Sequence, residues 1–328
     1  MTRLTDQSVR LAAHREGAQV SEFRTGRGPV CVSVIVPAHN EAALLPRCLR
    51  SLLEQKFEGV MRLIVVDNGS QDGTAEIAAA WAARLADAGH EAVVLKLERG
   101  NKSEALNAGD ALAAGRCYIY LDADVELSAG CVRAVLEAMD EPGVQMCAPR
   151  LVVARSRAWV TRRYARVWTN LPWVSDDAIG GGFYAVTPEG RRRWGRFPDV
   201  LAEDTFVQAQ FRKCERRIAK SAHFVIRLPD GWSDLLRIRT RWLSGVRQLR
   251  PDVGGEWGRS AFPLGGRIKA ILRRPGLWPD LPLYALVNLC ARWRARRRVV
   301  LGTQIWERGR PEIESIDDSE LAHAGPHD

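Results

Sequence analysis

Apolar runs and amphipathic helical patterns alternate along the first half of the chain, and this alternation predicts the fold. Runs of β-branched and other apolar residues that suit buried strands lie at Val30–Val36, Met61–Val66, Glu91–Leu97 and Cys117–Leu121. Patterns with helical spacing separate these runs at Ala42–Gln55, Thr74–Ala86 and Ser103–Ala114. Strands that alternate with helices in this way predict an α/β fold, in which a mostly parallel sheet is flanked by helices.

The alternation loosens after residue 121. Further helices are predicted at Ser128–Met139 and Ser156–Thr169, and further strands at Gln145–Val153 and Phe183–Val186. We divide the chain into a flexible N-terminal leader (1–29), a main domain (30–250), a basic and partly amphipathic C-terminal extension (251–310) that is expected to be helical, and an acidic tail (311–328). A short helix is expected inside the leader, near Val9–Arg15.

The composition fits an ordinary globular protein. Of the 328 residues, 46% are hydrophobic and 27% are charged, which supplies enough apolar side chains for a sizeable core. No apolar segment of the signal-peptide type follows Met1. The seven cysteines are widely spaced and include no C-x-x-C pair, so we expect reduced, mostly buried thiols in a cytoplasmic protein.

Positive charge is concentrated towards the C-terminus. The formal net charge is +9, yet the segment Arg237–Arg310 alone holds seventeen Lys and Arg against four Asp and Glu. We therefore expect this segment to meet an anionic partner, which leaves phosphate groups, a lipid surface and nucleic acid open.

One apolar segment, Leu281–Ala291, lies inside the basic region. It has eleven residues, and a helix needs about 20 to span a bilayer, so it cannot cross one unaided. Because Arg and Trp residues flank it, the segment suits an interfacial element at a membrane surface. A helix that completes the core, with its Arg residues in solvent, is the equally supported alternative.

Two carboxylates follow directly on the predicted strand Cys117–Leu121. Asp122 and Asp124 are separated by one residue, and in an extended chain such side chains point the same way. A carboxylate pair at the end of a strand suits a hard divalent cation such as Mg²⁺ or Mn²⁺, particularly one that also holds a diphosphate. A solvated turn is the alternative interpretation, since Asp is common just after strands.

Polar clusters also follow the other predicted strands, at the edge where parallel sheets collect functional groups. Asn40, after the first strand, is a candidate cap for the next helix. Asp67 ends the second strand and is a candidate partner for a nucleobase edge. Lys102 begins a helix, where its charge and the backbone N–H groups would face phosphate.

Together these loops resemble family 2 of the glycosyltransferases, which are inverting nucleotide-sugar transferases with the Rossmann-like GT-A fold. The matching strings are Val32–Glu41, Val65–Ser70 with Asp72-Gly73-Thr74, Lys102 with Ala105–Gly109, and Asp122-Ala123-Asp124. They cover residues 31–126 closely and extend more loosely to about residue 250. The resemblance implies an enzyme of the hexosyltransferase type.

The resemblance also implies a donor site in the loops that follow the strands. The residues that would bind the nucleotide sugar are Pro37, Ala38, Asn40, Glu41, Asp67, Lys102, Asp122 and Arg241. Asp124, with Asp122 beside it, would hold Mg²⁺ or Mn²⁺ under the diphosphate. A UDP- or GDP-sugar is the expected donor.

The second half of the chain would supply the acceptor side. Leu201–Thr205 matches the Glu-Asp motif of the family, so Asp204 would be the catalytic base and Glu203 would support it. Gly181 and Gly182 resemble its glycine-rich acceptor segment, where missing side chains would leave room for a sugar.

Trp242 would stack on the acceptor. With Arg241 it partly matches the Q-x-x-R-W string of processive members, but Ile238 stands at the Gln position. An Arg-rich amphipathic helix with Trp242 packed inward is an equally good interpretation.

We therefore expect a metal-dependent, inverting transfer of a sugar to a hydroxyl acceptor, which is either lipid-linked or a growing glycan. Peripheral contact at the inner face of the cell membrane would suit a lipid-linked acceptor. The alternatives are a sugar-phosphate nucleotidyltransferase with a similar fold, or a basic protein that binds nucleic acid or membrane without catalysis. A nucleotidyltransferase would carry a Gly-rich basic loop where this chain has Pro37–Glu41, and no nucleic-acid-binding motif is recognised.

Overall fold

A computed structural model describes residues 19–24, 28–98, 101–249 and 273–300, with side chains to residue 297. In these residues the strands are β1 Gln19–Arg24, β2 Val30–Ala38, β3 Val60–Asn68, β4 Glu91–Leu97, β5 Cys117–Leu121, β6 Glu126–Leu127, β7 Met146–Val153, β8 Phe183–Val186 and β9 Arg216–Ile226. The α-helices are α1 Leu45–Leu53, α2 Thr74–Asp87, α3 Lys102–Asp110, α4 Cys131–Met139, α5 Trp159–Thr169, α6 Pro172–Ser175, α7 Pro188–Arg191, α8 Glu203–Ala209, α9 Trp232–Gln248 and α10 Leu281–Val300. Two 3-10 turns, Lys213–Glu215 and Pro275–Asp280, complete the described structure.

The described strands form a single sheet in the order β1-β4-β3-β2-β5-β8-β7-β9-β6. Strands β4, β3, β2 and β5 are mutually parallel, as the sequence predicts. The second half of the sheet is mixed, because β8 runs antiparallel to both of its neighbours while β9 runs parallel to β7. The α/β prediction is thus confirmed, and the parallel arrangement belongs mainly to the half that carries the first loops.

Successive side chains of the central strands point to opposite faces of the sheet, where they form two apolar layers. Val34 of β2 belongs to the layer covered by α1, α2 and α4, whereas Ile35 belongs to the layer covered by α3 and α8. Helix α3 lies very close to the sheet, since a Cβ on Gly109 would come within 3.0 Å of the Ile35 Cγ2 atom. This close contact fixes the start of α3 beside the strand ends.

The N-terminal leader is more ordered than the sequence indicated. Residues 19–24 form β1, which pairs antiparallel with the edge strand β4. The strand has only two apolar residues, Val20 and Phe23, so its periodicity was too weak to predict it. By pairing with β4, β1 satisfies backbone groups of β4 that would otherwise be exposed at the edge of the sheet. The predicted helix near Val9–Arg15 lies outside the described residues.

The described part of the C-terminal extension is helical, as expected. Helix α10 packs with α5 and α9 around a third apolar cluster that includes Tyr164, Leu235 and Val287. No helix in the described ranges is both long enough and apolar enough to cross a membrane. Residues 250–272 and the acidic tail lie outside the part of the chain that the structure describes.

The prediction of reduced thiols is also met. All seven cysteines are free, and Cys48, Cys117, Cys131 and Cys147 are buried. Burial raises the pKa of each of these four thiols, so they remain neutral and serve as small apolar side chains.

Candidate active site

The loops after β2 and β3 are joined by hydrogen bonds at the carboxyl edge of the sheet. Asn40 has a left-handed backbone (φ 50°), and its N–H donates to Ser70 Oγ at 2.9 Å. In return, Gln71 N donates to Asn40 Oδ1 at 2.8 Å, and Glu41 N donates to Thr74 Oγ1 at 2.8 Å. Asn40 is therefore not the predicted helix cap, since α1 begins only at Leu45; it links the two loops.

Asp67 is buried near the carboxyl end of β3, at the edge of the sheet where these loops lie. Its side chain is fully buried, and Oδ1 accepts a hydrogen bond from Ser70 N at 3.2 Å. Its other oxygen, Oδ2, has no hydrogen-bond partner among the described residues. In the β2–β3 ladder, Ala38 stands opposite Asp67, and Pro37 stands opposite Val66. A buried oxygen without a hydrogen bond costs free energy, so a ligand that donates a hydrogen bond to Oδ2 would recover this cost.

Asn68, which the sequence analysis did not single out, connects three loops. Its backbone oxygen contacts His39 Nδ1 at 2.6 Å, and its Oδ1 accepts from Asn101 N at 2.7 Å. The Asn101 side chain then caps α3 by accepting from Ser103 N and Glu104 N. These two N–H groups therefore already have a hydrogen-bond partner within the protein, and phosphate binding at the start of α3 stays a prediction. The sequence around Asn68 is rich in residues that favour turns, so the sequence analysis did not predict that Asn68 links the loops.

Lys102 joins the two halves of the site. Its Nζ lies 2.7 Å from Asp122 Oδ1 and also forms an ion pair with Glu203. Burial alone would lower the pKa of Lys102, but the two carboxylates outweigh it and raise that pKa, so the side chain stays charged. The carboxylate after β5 and the Glu-Asp motif are thus held together by one ammonium group, a contact that the sequence did not reveal.

Glu203 and Asp204 are the first two residues of α8. Glu203 is 6% exposed, and Asp204 Oδ1 accepts from Thr205 N at 2.6 Å. Burial raises the pKa of both carboxyls, whereas the positive charge of Lys102 lowers it. A carboxylate with a raised pKa is a stronger proton acceptor than an ordinary Asp, which suits a general base.

The glycine-rich segment packs tightly rather than leaving space. A Cβ on Gly180 would come within 3.0 Å of Asp204 Cβ, one on Gly181 would lie 2.9 Å from Leu151, and one on Gly182 would lie 2.8 Å from Val125. Gly182 also has a left-handed backbone (φ 102°) and accepts a hydrogen bond from Asp122 N at 2.9 Å. Gly180 therefore lets Asp204 approach this segment closely, whereas Gly181 and Gly182 pack against Leu151 and Val125. Contact with an acceptor stays a prediction for both glycines.

Carboxylates gather below the end of β5. The pKa of the Cys48 thiol is raised by burial and then by the negative charges of Asp124, Glu126, Asp122 and Glu41. These four side chains therefore lie within electrostatic range of a single sulfur atom. Among the described residues, no group of three or more His, Cys, Asp or Glu is arranged as a metal site.

Asp122 and Asp124 lie on a turn rather than on an extended strand, since Val125 N donates to Asp122 O at 3.1 Å. The extended geometry from which we expected their side chains to point the same way is therefore absent, and cation binding by the pair stays a prediction. Mg²⁺ is usually held by one or two carboxylates together with substrate phosphates, rather than by a full protein cage. Two carboxylates are a donor set that suits an ion that arrives with a diphosphate.

Arg241 and Trp242 lie on α9. The Trp242 ring is 5.2 Å from the Trp168 ring, centroid to centroid, within the third apolar cluster. This packing supports the inward-packed interpretation of Trp242. Gly245 lies one turn after Arg241 on the same helix. A Cβ on Gly245 would lie 3.0 Å from Ala202, the residue directly before the Glu-Asp motif, so this part of α9 packs against the start of α8. Binding of diphosphate by Arg241 and of an acceptor by Trp242 stay predictions.

Asn107 is a second residue whose role the sequence did not show. Its Oδ1 accepts from Phe197 N at 2.7 Å, and its Nδ2 donates to Phe197 O at 3.3 Å. Ser103 Oγ donates to Pro198 O at 2.7 Å nearby. Asn107 lies in the motif Ala105–Gly109, but the sequence did not predict its hydrogen-bond partner, because Phe197 is 90 residues further along the chain.

A mixed sheet with this order of elements, and with acidic side chains and a lysine at its carboxyl edge, has the architecture of a GT-A glycosyltransferase. The chain belongs to glycosyl transferase family 2, whose sequence profile matches residues 33–196, half of its length. Membership in this family favours the glycosyltransferase interpretation over the nucleotidyltransferase and over a binding protein without catalysis.

Similar proteins agree with this assignment. The chain is 25% identical over 199 residues to glycosyltransferase AglE of Haloferax volcanii, covering 60% of this chain and 52% of that protein. It is 36% identical over 109 residues to the 4,4'-diaponeurosporenoate glycosyltransferase of Staphylococcus haemolyticus, covering 32% and 27%. The chain thus spans about half, or less, of the length of these relatives.

One solved structure shows the same fold. The mannosyltransferase PcManGT from Pyrobaculum calidifontis, in complex with GDP-Man and Mn²⁺, superposes with a TM-score of 0.53 and 22% identity. The superposition covers 90% of this chain and 87% of that one. At this level of identity, the likeness concerns the fold.

Proposed function

We propose that this protein transfers a sugar from a nucleoside-diphosphate sugar to a hydroxyl acceptor, with inversion at the anomeric carbon. The observation that carries the proposal is the bridge from Asp122 through Lys102 to Glu203. The bridge joins Asp122, which would face the diphosphate and its cation, to Glu203, the residue directly before the proposed base Asp204. A donor and an acceptor bound on the two sides of this bridge would meet at a single point.

The donor side is formed by the linked loops after β2, β3 and β5. Asp67 Oδ2, buried and without a hydrogen-bond partner among the described residues, would accept a hydrogen bond from the base. Pro37, Ala38, Asn40 and Glu41 would line the same pocket. Both UDP- and GDP-sugars offer N–H groups on the base, so both remain candidates.

Asp124 and Asp122 would hold Mg²⁺ or Mn²⁺, which when bound neutralises charge on the departing diphosphate. Lys102 would add its own positive charge beside that position, and Arg241 would approach from α9. These side chains favour the departure of an anionic leaving group.

The acceptor side carries the proton chemistry. An unaided hydroxyl is too weakly acidic to attack, so Asp204 would accept its proton as the oxygen attacks the anomeric carbon. Attack from the face opposite the diphosphate gives the inverted product, and no covalent intermediate with the enzyme is needed. Glu203 would hold Lys102 in place, and the proposed acceptor is a hydroxyl of a lipid-linked group or a growing glycan.

The test separates donor binding from transfer. Thermal shift with UDP, GDP and ADP, each with and without Mn²⁺, should show stabilisation by one base, and Asp124→Ala should remove the Mn²⁺-dependent part. With the matching donor sugar, Asp204→Asn should keep nucleotide binding and lose most release of the diphosphate. Asp199→Asn, an exposed aspartate nearby, is the matched control and should behave as wild type. Stabilisation by none of the nucleotides, or normal turnover by Asp204→Asn, would contradict the proposal.

A further inference from the structure

Helix α10 has two faces of opposite character. Val287, Ala291 and Ala295 are fully buried against the rest of the protein. Leu286 and Leu289 are 49% and 66% exposed, and Trp293 is 54% exposed. At about 100° per residue, the exposed stripe is centred roughly 180° from the buried one. The outward face therefore presents large apolar side chains directly away from the core.

Arginines border this outward face. Arg292 and Arg296 are exposed on one side of the stripe and Arg297 on the other. The Arg297 guanidinium lies 3.9 Å from the centroid of the Trp293 ring, a cation–π contact at the end of the stripe. Trp278, in the 3-10 turn before α10, is 49% exposed. A row of leucines between tryptophans, with cationic borders, is the pattern of a helix that lies in a membrane interface.

The chemistry of the face selects its partner. Two copies packed through it would bring their arginines together, and the cores of protein interfaces are depleted of charge. Nucleic acid would pair with the arginines but would leave Leu286 and Leu289 without an apolar partner. An anionic bilayer satisfies both, because its headgroups pair with the guanidinium groups while the leucines enter the acyl boundary.

We propose that α10, through Leu286, Leu289 and Trp293 and the arginines beside them, docks the protein flat on an anionic membrane surface. This inference goes beyond the proposed function and does not depend on it. The buried face of α10 keeps its packing on α5 and α9, so docking needs no unfolding.

The experiment is flotation of the full chain with vesicles of phosphatidylcholine, with or without phosphatidylglycerol. We expect binding to the anionic vesicles that weakens as salt is raised. The variant Leu286→Ser/Leu289→Ser should lower the partition coefficient roughly tenfold or more, and Arg296→Gln/Arg297→Gln should have an effect of similar size. All four side chains are exposed, so the variants should melt at the wild-type temperature.

The matched control is Arg133→Gln/Arg212→Gln. It removes the same charge at two arginines whose side chains are 66% and 78% exposed and which lie outside α10. The control should bind anionic vesicles as wild type does. The proposal is overturned if wild type does not float, if it binds neutral and anionic vesicles equally, or if the control loses as much binding as the α10 variants. It is also overturned if the α10 variants change only the oligomeric state or only nucleic-acid binding.

Discussion

Gly180 lies against Asp204 so closely that a Cβ on the glycine would come within 3.0 Å of the aspartate Cβ. Real Cβ atoms essentially never make such a contact. Gly180 does not have a left-handed backbone, so the requirement for glycine here comes from the neighbouring Asp204 and not from a turn. The position of the proposed base therefore depends on the absence of a side chain at Gly180.

Gly180→Ala should reduce transfer while leaving donor binding intact. The added methyl group must push Asp204 away, and a displacement of about 1 Å can cost on the order of a hundredfold in rate. The measurement is kcat against the Kd for the nucleoside diphosphate. Gly195→Ala is the matched control, because nothing lies within 4 Å of its added Cβ, and it should keep wild-type activity. Equal loss in both variants would contradict the role assigned to Gly180.

Lys102→Met should destabilise the protein, because it leaves the buried Glu203 without its counter-charge. Breaking a buried pair costs about 3–5 kcal/mol, but the Lys102 side chain is 31% exposed, so we expect about 1–3 kcal/mol in free energy of unfolding. Glu203→Gln in the same chain should restore part of the loss, since no charge is then left unpaired. The free energy of unfolding from denaturant titration of the two single variants and the double variant measures this coupling.

The pH dependence of transfer should report on the same ammonium group. The base must be deprotonated to act, and burial raises the pKa of Asp204, so the acid limb of the rate profile should lie above the range of an ordinary Asp. Lys102 opposes this shift by lowering the pKa of Asp204. In Lys102→Met the acid limb should therefore move to higher pH. A limb that stays in place, or moves to lower pH, would show that Asp204 is not the titrating base.

The first half of the fold could be predicted because its signals are local. The buried run Val32–Val36 of β2 and the helical spacing of α2 each specify an element within one stretch of sequence. β1 escaped prediction because it depends on pairing with β4, which lies some seventy residues further along the chain. Its own six residues carry little apolar periodicity.

For the candidate site, too, local features were predicted and long-range contacts were not. Asp122, Glu203 and Lys102 were singled out from their motifs, but the ion pairs of Lys102 with the two carboxylates were not predicted, since Glu203 is 101 residues from Lys102. The packing of the glycines was not predicted for the same reason: a Cβ on Gly182 would meet Val125, which only the folded chain brings there. Residue type and motif spacing indicate candidate residues for the site, whereas long-range packing decides their contacts.

Asp67→Asn should weaken nucleotide binding with little effect on stability. The carboxylate is fully buried and its Oδ2 has no hydrogen-bond partner among the described residues, so the free protein gains little from its charge. A bound base would supply the missing donor, and losing one charge-assisted hydrogen bond costs about 1.5–3 kcal/mol, roughly tenfold or more in Kd. Calorimetric titration with the preferred nucleoside diphosphate measures this. Asp87→Asn, at the exposed end of α2, should bind normally, and an unchanged Kd for Asp67→Asn would remove Asp67 from the base pocket.

Asn107→Ala should lower turnover by loosening the segment that leads to the Glu-Asp motif. The side chain holds the backbone of Phe197 through two hydrogen bonds, and Phe197 lies six residues before Glu203. Leaving these backbone groups unsatisfied should cost about 1–3 kcal/mol in free energy of unfolding. A less restrained α8 start should also reduce kcat more than it changes nucleotide affinity.

Asn170→Ala provides the comparison for this effect. Asn170 also makes two side-chain hydrogen bonds, donating to Arg166 O and accepting from Arg274, but it lies between α5 and α6, outside the Glu-Asp segment. If hydrogen-bond loss in general lowered turnover, both variants would slow transfer to the same degree. A selective fall in kcat for Asn107→Ala, at similar stability, would show that Asn107 positions the base through the Phe197 backbone.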